Sequence, residues 1–138
     1  MPFYRCAVPK DAVPFEARQA VARAFTDVHC GATNAPRSFV HVVFDEHDDT
    51  DWGVPYFIDG GNRAGRPQSK KDELLEGLQA AFSHHTGISR DQIGGRITEG
   101  PASWSMEGGM VLPEPGEETA EWYEHDQRIA DAAAAGGD

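Results

Sequence analysis

The sequence predicts a mixed α/β, α+β-type domain: a duplicated β-α-β unit whose strands form one four-stranded mixed sheet with two helices on one face. Three observations predict it. A strand, a long helix and a strong strand follow one another twice, at a spacing of roughly 55 residues. Each helix carries a single apolar stripe of period 3.6. A helix between two strands is a crossover, which pairs the strands of each half in parallel. Two helices cover only one face of such a sheet, so the other face calls for another subunit and an oligomer is expected.

The elements follow in order. Phe3 to Val8 (FYRCAV) is short and rich in β-formers, and Pro9 ends it. Asp11 and Pro14 open a helix whose stripe is Ala17, Val21, Ala24, Phe25 and Val28, with Gly31 as its C-terminal cap. Ser38 to Phe44 (SFVHVVF) is the strongest strand, nearly continuous in apolar residues as though both faces were covered. Tyr56 to Asp59 is a short strand, followed by a glycine-rich turn from Gly60 to Arg66. Ser69 to Asp72 has the form of a capping box, and Leu74, Leu75, Leu78 and Phe82 make the stripe of the helix it begins, which ends near Gly87. Ile93 to Glu99 alternates as a strand, and 106–112 is a turn or short hairpin. The expected domain is 1–113, with halves at about 2–45 and 55–100. Residues 114–138 form an acidic C-terminal tail in which Trp122 and Tyr123 are candidate anchors and the DAAAAGGD end is frayed.

The chain's 138 residues carry a net charge of −11, but most of it is local. From Glu114 onward there are eight acids against Arg128 alone, and Asp45 to Asp51 adds five acids and no base. The remaining body is close to neutral, so nucleic acid and anionic membranes are poor partners while a local positive pocket for a small anion is open. No apolar run approaches a membrane span and the start lacks the pattern of a secretory signal, which points to the cytoplasm. Cys6 and Cys30 have no metal-ligand spacing and are expected as reduced, packed thiols. The acidic 45–51 run lacks the glycine and distal glutamate of a calcium loop, and the adjacent His84 and His85 point about 100° apart, so no metal is expected.

The residues with chemical potential are few. Pro2, once Met1 is removed, presents a secondary amine at the end of the first strand. The ordinary α-amino pKa is about 7.7–8.0, and burial or nearby arginines push it lower, which suits proton transfer near neutral pH. His29 lies four residues after Phe25, beside the first helix's stripe. Arg63 and Arg66, on a glycine-rich segment, can offer planar donor forks to one carboxylate.

An N-terminal proline ahead of a duplicated β-α-β unit resembles the tautomerase superfamily, the family of MIF-like folds. The segments VARAFTDVH ending at His29, FIDGGNRAGR with Arg63 and Arg66, and MEGGMVLPEPG with Glu107 are similar to its cis-3-chloroacrylic acid dehalogenase branch over about residues 2 to 116. The resemblance implies a homotrimer, a site without metal or cofactor, and small unsaturated carboxylic acids as substrates. It implies catalysis by Pro2, with His29 and the arginines on the substrate and Glu107 activating water in a dehalogenase or hydratase reaction. Where that branch has a tyrosine assisting the glutamate, this chain has Arg96. Turned inward, Arg96 would bind substrate, lower the basicity of Glu107 and favour a neutral Pro2 amine, and so tautomerisation. Turned outward it would leave the site, and strand alternation leaves both orientations open. A trimeric binding protein without catalysis is the competing class.

Overall fold

A computed structural model describes residues 2–33, 35–47, 52–124, 127, 135 and 136. Met1, most of the acidic run (48–51) and most of the DAAAAGGD end lie outside the described residues.

Four strands and two helices form the body: β1 (Phe3–Pro9), α1 (Phe15–Thr33), β2 (His41–His47), β3 (Tyr56–Arg63), α2 (Gln68–Thr86) and β4 (Ile93–Gly100). The sheet order is β2-β1-β3-β4. β1 pairs with β2 in parallel and β3 with β4 in parallel, while β1 and β3 join the two halves antiparallel, with Cys6 opposite Ile58. The mixed sheet and its two crossovers are as expected. A hairpin follows, β5 (Met106–Glu107) and β6 (Met110–Val111).

Alternation sorts the sheet's side chains. Tyr4, Cys6, Val8, Tyr56 and Ile58 point into the main core, where Val21 and Phe25 of α1 meet Leu74, Leu78 and Phe82 of α2. The opposite face carries Phe3, Arg5, Phe57, Asp59 and Arg96, and among the described residues no helix covers it. A smaller apolar cluster forms at one end from Phe39, Ala102, Leu112 and Trp122, which fixes part of the tail against the body. No helix among the described residues is long and apolar enough to cross a membrane.

Several expectations are corrected. The strand expected at Ser38–Phe44 begins only at His41, because Arg37–Phe39 forms one turn of 3-10 helix that turns Phe39 into the small cluster against Trp122. It lies at the sheet's edge and none of its residues is fully buried, so it is not covered on both faces. Gly31 does not cap α1, which runs on to Thr33. The glycine-rich turn is mostly strand: β3 continues through Gly60, Gly61 and Asn62 to Arg63. Gly60 is needed for close approach, since a Cβ there would lie 2.8 Å from a Tyr4 ring carbon and 2.9 Å from Ile97 Cδ1. No capping box forms at Ser69: α2 starts at Gln68 behind Pro67 with no side-chain cap, and Gln68 Nε2 donates to Asp72 instead. Gly87 does end α2, in the left-handed conformation at φ 76°.

Candidate active site

The site forms where the start of β1 meets the ends of α1 and β3. Pro2 is buried, and its carbonyl accepts the His41 N–H at 3.1 Å, which fixes the first residues of the chain on the sheet. Two residues on, and therefore on the same face, Tyr4 is fully buried. Its phenol lies 2.5 Å from His29 Nδ1. His29 itself is 1% exposed, inside the core rather than beside the stripe.

This pair settles the protonation of both groups. Burial, followed by the Arg66 guanidinium and with Arg63 contributing, lowers the His29 pKa to about 3, so the imidazole is neutral near pH 7. Burial raises the Tyr4 phenol well above its ordinary range, with Asn62 and Arg66 only partly opposing it, so the hydroxyl keeps its proton. The Tyr4 O–H therefore donates to Nδ1, and the remaining proton of the ring sits on Nε2. His29 is a neutral hydrogen-bond donor here and not a base.

Asn62 is 8% exposed, and neither its amide nitrogen nor its oxygen has a hydrogen-bond partner. It is close enough to Tyr4 to favour the phenolate but does not bond it in good geometry. A buried amide left unpaired costs about 1–3 kcal/mol, a sign that a site partner belongs there.

Arg63 and Arg66 flank a cavity of about 290 Å³ whose walls include Pro36, Glu118, Trp122 and Tyr123. They differ in their commitments. Arg63 donates from Nη1 to the Pro113 carbonyl at 2.6 Å and from Nη2 to Glu118 at 3.0 Å. Among the described residues the Arg66 side chain makes one hydrogen bond, a long one of 3.4 Å from Nη1 to the Arg63 carbonyl. Burial and then the neighbouring Arg63 lower its pKa, as for a cation short of a counter-charge.

Glu107 lies on β5, paired across the hairpin with Met110. Ser105, just before that hairpin, lines a second cavity of about 240 Å³ with Phe3, Gly61 and Asn62, so the hairpin stands at the Pro2 end of β1. Arg96 is elsewhere. On the uncovered face, its Nε and Nη2 reach Asp59 Oδ1 and Oδ2 at 3.2 and 2.9 Å, and it lies over the Phe57 ring. The outward orientation is the one observed, and its guanidinium is committed to Asp59 instead of to substrate. No group of metal-ligating side chains occurs among the described residues.

The structure thus brings Pro2, His29, Arg63 and Arg66 to one end of the sheet and keeps Arg96 apart. Tyr4, Asn62 and Glu118 were missed. Tyr4 and Asn62 were within reach of strand alternation, which puts Tyr4 on the face of Pro2. Glu118 had no local signal at all.

The duplicated β-α-β sheet thus carries a buried proline at the start of its first strand and two arginines at and beyond the end of the neighbouring one. The family model described as Tautomerase enzyme matches residues 2–56. The structure of native Ps01740 is 32% identical with a TM-score of 0.70, over 76% of this chain and 99% of that one. N1, a member of the cis-3-chloroacrylic acid dehalogenase (cis-CaaD) family, is 26% identical with a TM-score of 0.81, over 94% of this chain and 99% of that one. A fused 4-OT wild type symmetric trimer shares the fold at 18% identity and a TM-score of 0.69, over 79% of this chain and 94% of that one. A search of curated proteins finds no match. The chain belongs to the tautomerase superfamily and is an enzyme of that superfamily. The catalysis that accompanies this membership is of the isomerase or dehalogenase type.

Proposed function

We propose that the protein is a cofactor-independent tautomerase that uses the Pro2 amine, freed by removal of Met1, on a small unsaturated carboxylate. The observation that carries this reading is the neutral His29, fixed as an Nε2–H donor near Arg66 by Tyr4, which itself stands two strand positions from Pro2. A neutral donor and a cation suit a substrate whose enol oxygen gains negative charge as its proton leaves. For a 2-hydroxy-dienoate or phenylenolpyruvate, neutral Pro2 takes the enol O–H proton, the O–H electron pair becomes the carbonyl π bond, and the C=C electron pair takes the proton back from Pro2 at carbon. Arg66 holds the carboxylate, with Arg63 behind it, and His29 donates to the developing oxyanion. The fused 4-OT trimer supports a homotrimer here too, the uncovered face of the sheet meeting its copies.

A second reading, cis-3-haloacrylate hydration and dehalogenation, is supported by the place of Arg96. Bound to Asp59, it does not weaken Glu107, which would then activate a water for attack at Cβ while Pro2 as an ammonium protonates Cα. Against it stands Arg96 itself, at the position where that branch has a tyrosine. Halide release from cis-3-chloroacrylate distinguishes the two.

With the N-terminus verified by mass spectrometry, the enzyme should ketonise phenylenolpyruvate, and Pro2→Ala should lower kcat/KM by about 10²–10⁴-fold. Full activity in Pro2→Ala would end the proton-transfer mechanism.

A further inference from the structure

The segment after the hairpin returns over the site, and the carboxylate it brings has consequences for which anion can enter. Arg63 has a side chain only 9% exposed, and its partner Glu118 one 18% exposed. Glu118 is anchored a second time, since its Oε2 accepts the Gly116 N–H at 2.9 Å. Burial pushes its carboxyl up, but backbone hydrogen bonds and Arg63 prevail and hold it below the usual carboxylate range. Glu118 is therefore an anion at neutral pH, placed where a substrate's second carboxylate would otherwise meet Arg63.

Arg66 stands in contrast. Among the described residues it forms no ion pair within 4 Å, and it faces the same cavity as Glu118, Trp122 and Tyr123. With His29 neutral, two guanidinia and one carboxylate leave the cavity walls a net charge of one positive unit. One incoming carboxylate completes that balance. A second would face Glu118 at close range with no free cation to meet it, a like-charge contact in a half-buried place. Pro36, Pro115 and the two aromatic rings of the tail offer flat apolar surface to the remainder of the ligand.

We infer that Glu118 makes the site selective for substrates with one carboxylate and a flat apolar remainder, with Arg66 taking the carboxylate and Arg63 holding the tail. The inference rests on the reading of this cavity as the substrate site. It makes Glu118 a specificity residue rather than a catalytic one.

The test is binding without turnover, read by calorimetry with cinnamate (one carboxylate, an aromatic ring) and cis,cis-muconate (two carboxylates). The enzyme should bind cinnamate about tenfold or more tighter than muconate. Glu118→Gln, which keeps an acceptor for Arg63, should shift the ratio of the two dissociation constants toward muconate by about tenfold. Glu118→Ala should shift it the same way, and urea midpoints of both variants report whether they remain folded. Glu121→Gln, an exposed acid three residues on, should leave the ratio as it is. An unchanged ratio in both Glu118 variants, an equal shift in Glu121→Gln, or failure of both probes to bind overturns the inference. Because no chemistry is read, an enzyme inert toward phenylenolpyruvate that still shows the Glu118 shift would sink the proton-transfer reading and leave the selectivity standing.

Discussion

The two halves of the molecule are built to the same plan and differ where the chemistry lies. α1 and α2 have 19 residues each and start at Phe15 and Gln68, a spacing of 53 residues, slightly shorter than the sequence pattern suggests. One turn of 3-10 helix follows each, at Arg37–Phe39 and Arg90–Gln92. At matching positions α1 buries Val21, Phe25 and His29, and α2 buries Leu74, Leu78 and Phe82. Even the last turns agree: Thr33 Oγ1 donates to the His29 carbonyl at 2.8 Å and Thr86 Oγ1 to the Phe82 carbonyl at 2.7 Å. In one half Tyr4 lies 5.7 Å from the His29 ring; in the other Tyr56 lies 5.9 Å from the Phe82 ring. A packed aromatic pair has become a hydrogen-bonded one through the exchange of a phenyl for an imidazole. The halves differ once more at their ends, where Phe39 receives Trp122 of the tail while its counterpart Gln92 is exposed.

The largest effect is expected where the tail meets the first half. Trp122 is 5% exposed and its ring centroid lies 4.9 Å from that of Phe39. Trp122→Ala should cost about 3 kcal/mol in urea unfolding, by loss of buried surface and the cavity left behind. Gln92→Ala, at the matching point of the second half, should stay within about 0.5 kcal/mol. A cost below about 1 kcal/mol for Trp122→Ala would mean the tail is not docked as described.

Making the halves alike gives the next effect. The folded His29 pKa of about 3 is depressed from the ordinary 6.5, so the unfolded chain binds a proton that the folded one refuses. Stability from this source is fully present above pH 6.5 and is lost progressively as pH falls toward 3. Between pH 7 and 5 the enzyme should lose about 2 kcal/mol on this account, and His29→Phe should abolish that slope. The same variant should lower kcat/KM for phenylenolpyruvate by about 10²-fold, through loss of a donor to the oxyanion. An identical pH slope in His29→Phe would show that the imidazole is not the group being protonated.

How much of this could be seen in the chain depends on how far apart the deciding residues lie. The stripe of α1 is local, so Val21 and Phe25 were legible and His29 was placed beside them. That His29 is buried follows from Tyr4, 25 residues away, which supplies a partner for a ring nitrogen in the core. Glycine signals were ambiguous in kind: Gly60 and Gly61 suit a turn as well as a strand pressed against a tyrosine ring, and only Tyr4 and Ile97 decide between them. The apolar run at 38–44 looked like a central strand because its partner Trp122 comes much later. The pairing of Arg63 with Glu118 spans 55 residues and leaves no periodic trace, so both arginines looked equally free. The parallel pairing within each half, in contrast, follows from the helical crossover alone and was fully legible.

The smallest effect separates position from chemistry in the Tyr4–His29 pair. Tyr4→Phe keeps the ring that packs edge-on to Phe25 at 5.8 Å and removes only the hydroxyl. His29 Nδ1 then becomes a buried acceptor with no donor, at a cost of about 1–2 kcal/mol. Tyr56→Phe should cost less, because the Phe82 ring offers no acceptor to lose. Without the Tyr4 O–H nothing holds the imidazole proton on Nε2, and part of the population should carry it on Nδ1, turned away from substrate. That predicts a several-fold fall in kcat with KM for the carboxylate little changed, since Arg66 still binds it. Nitrogen-15 shifts of the His29 ring report the tautomer directly. If Tyr4→Phe leaves the proton on Nε2 while kcat still falls, the hydroxyl acts on the substrate itself and not through His29.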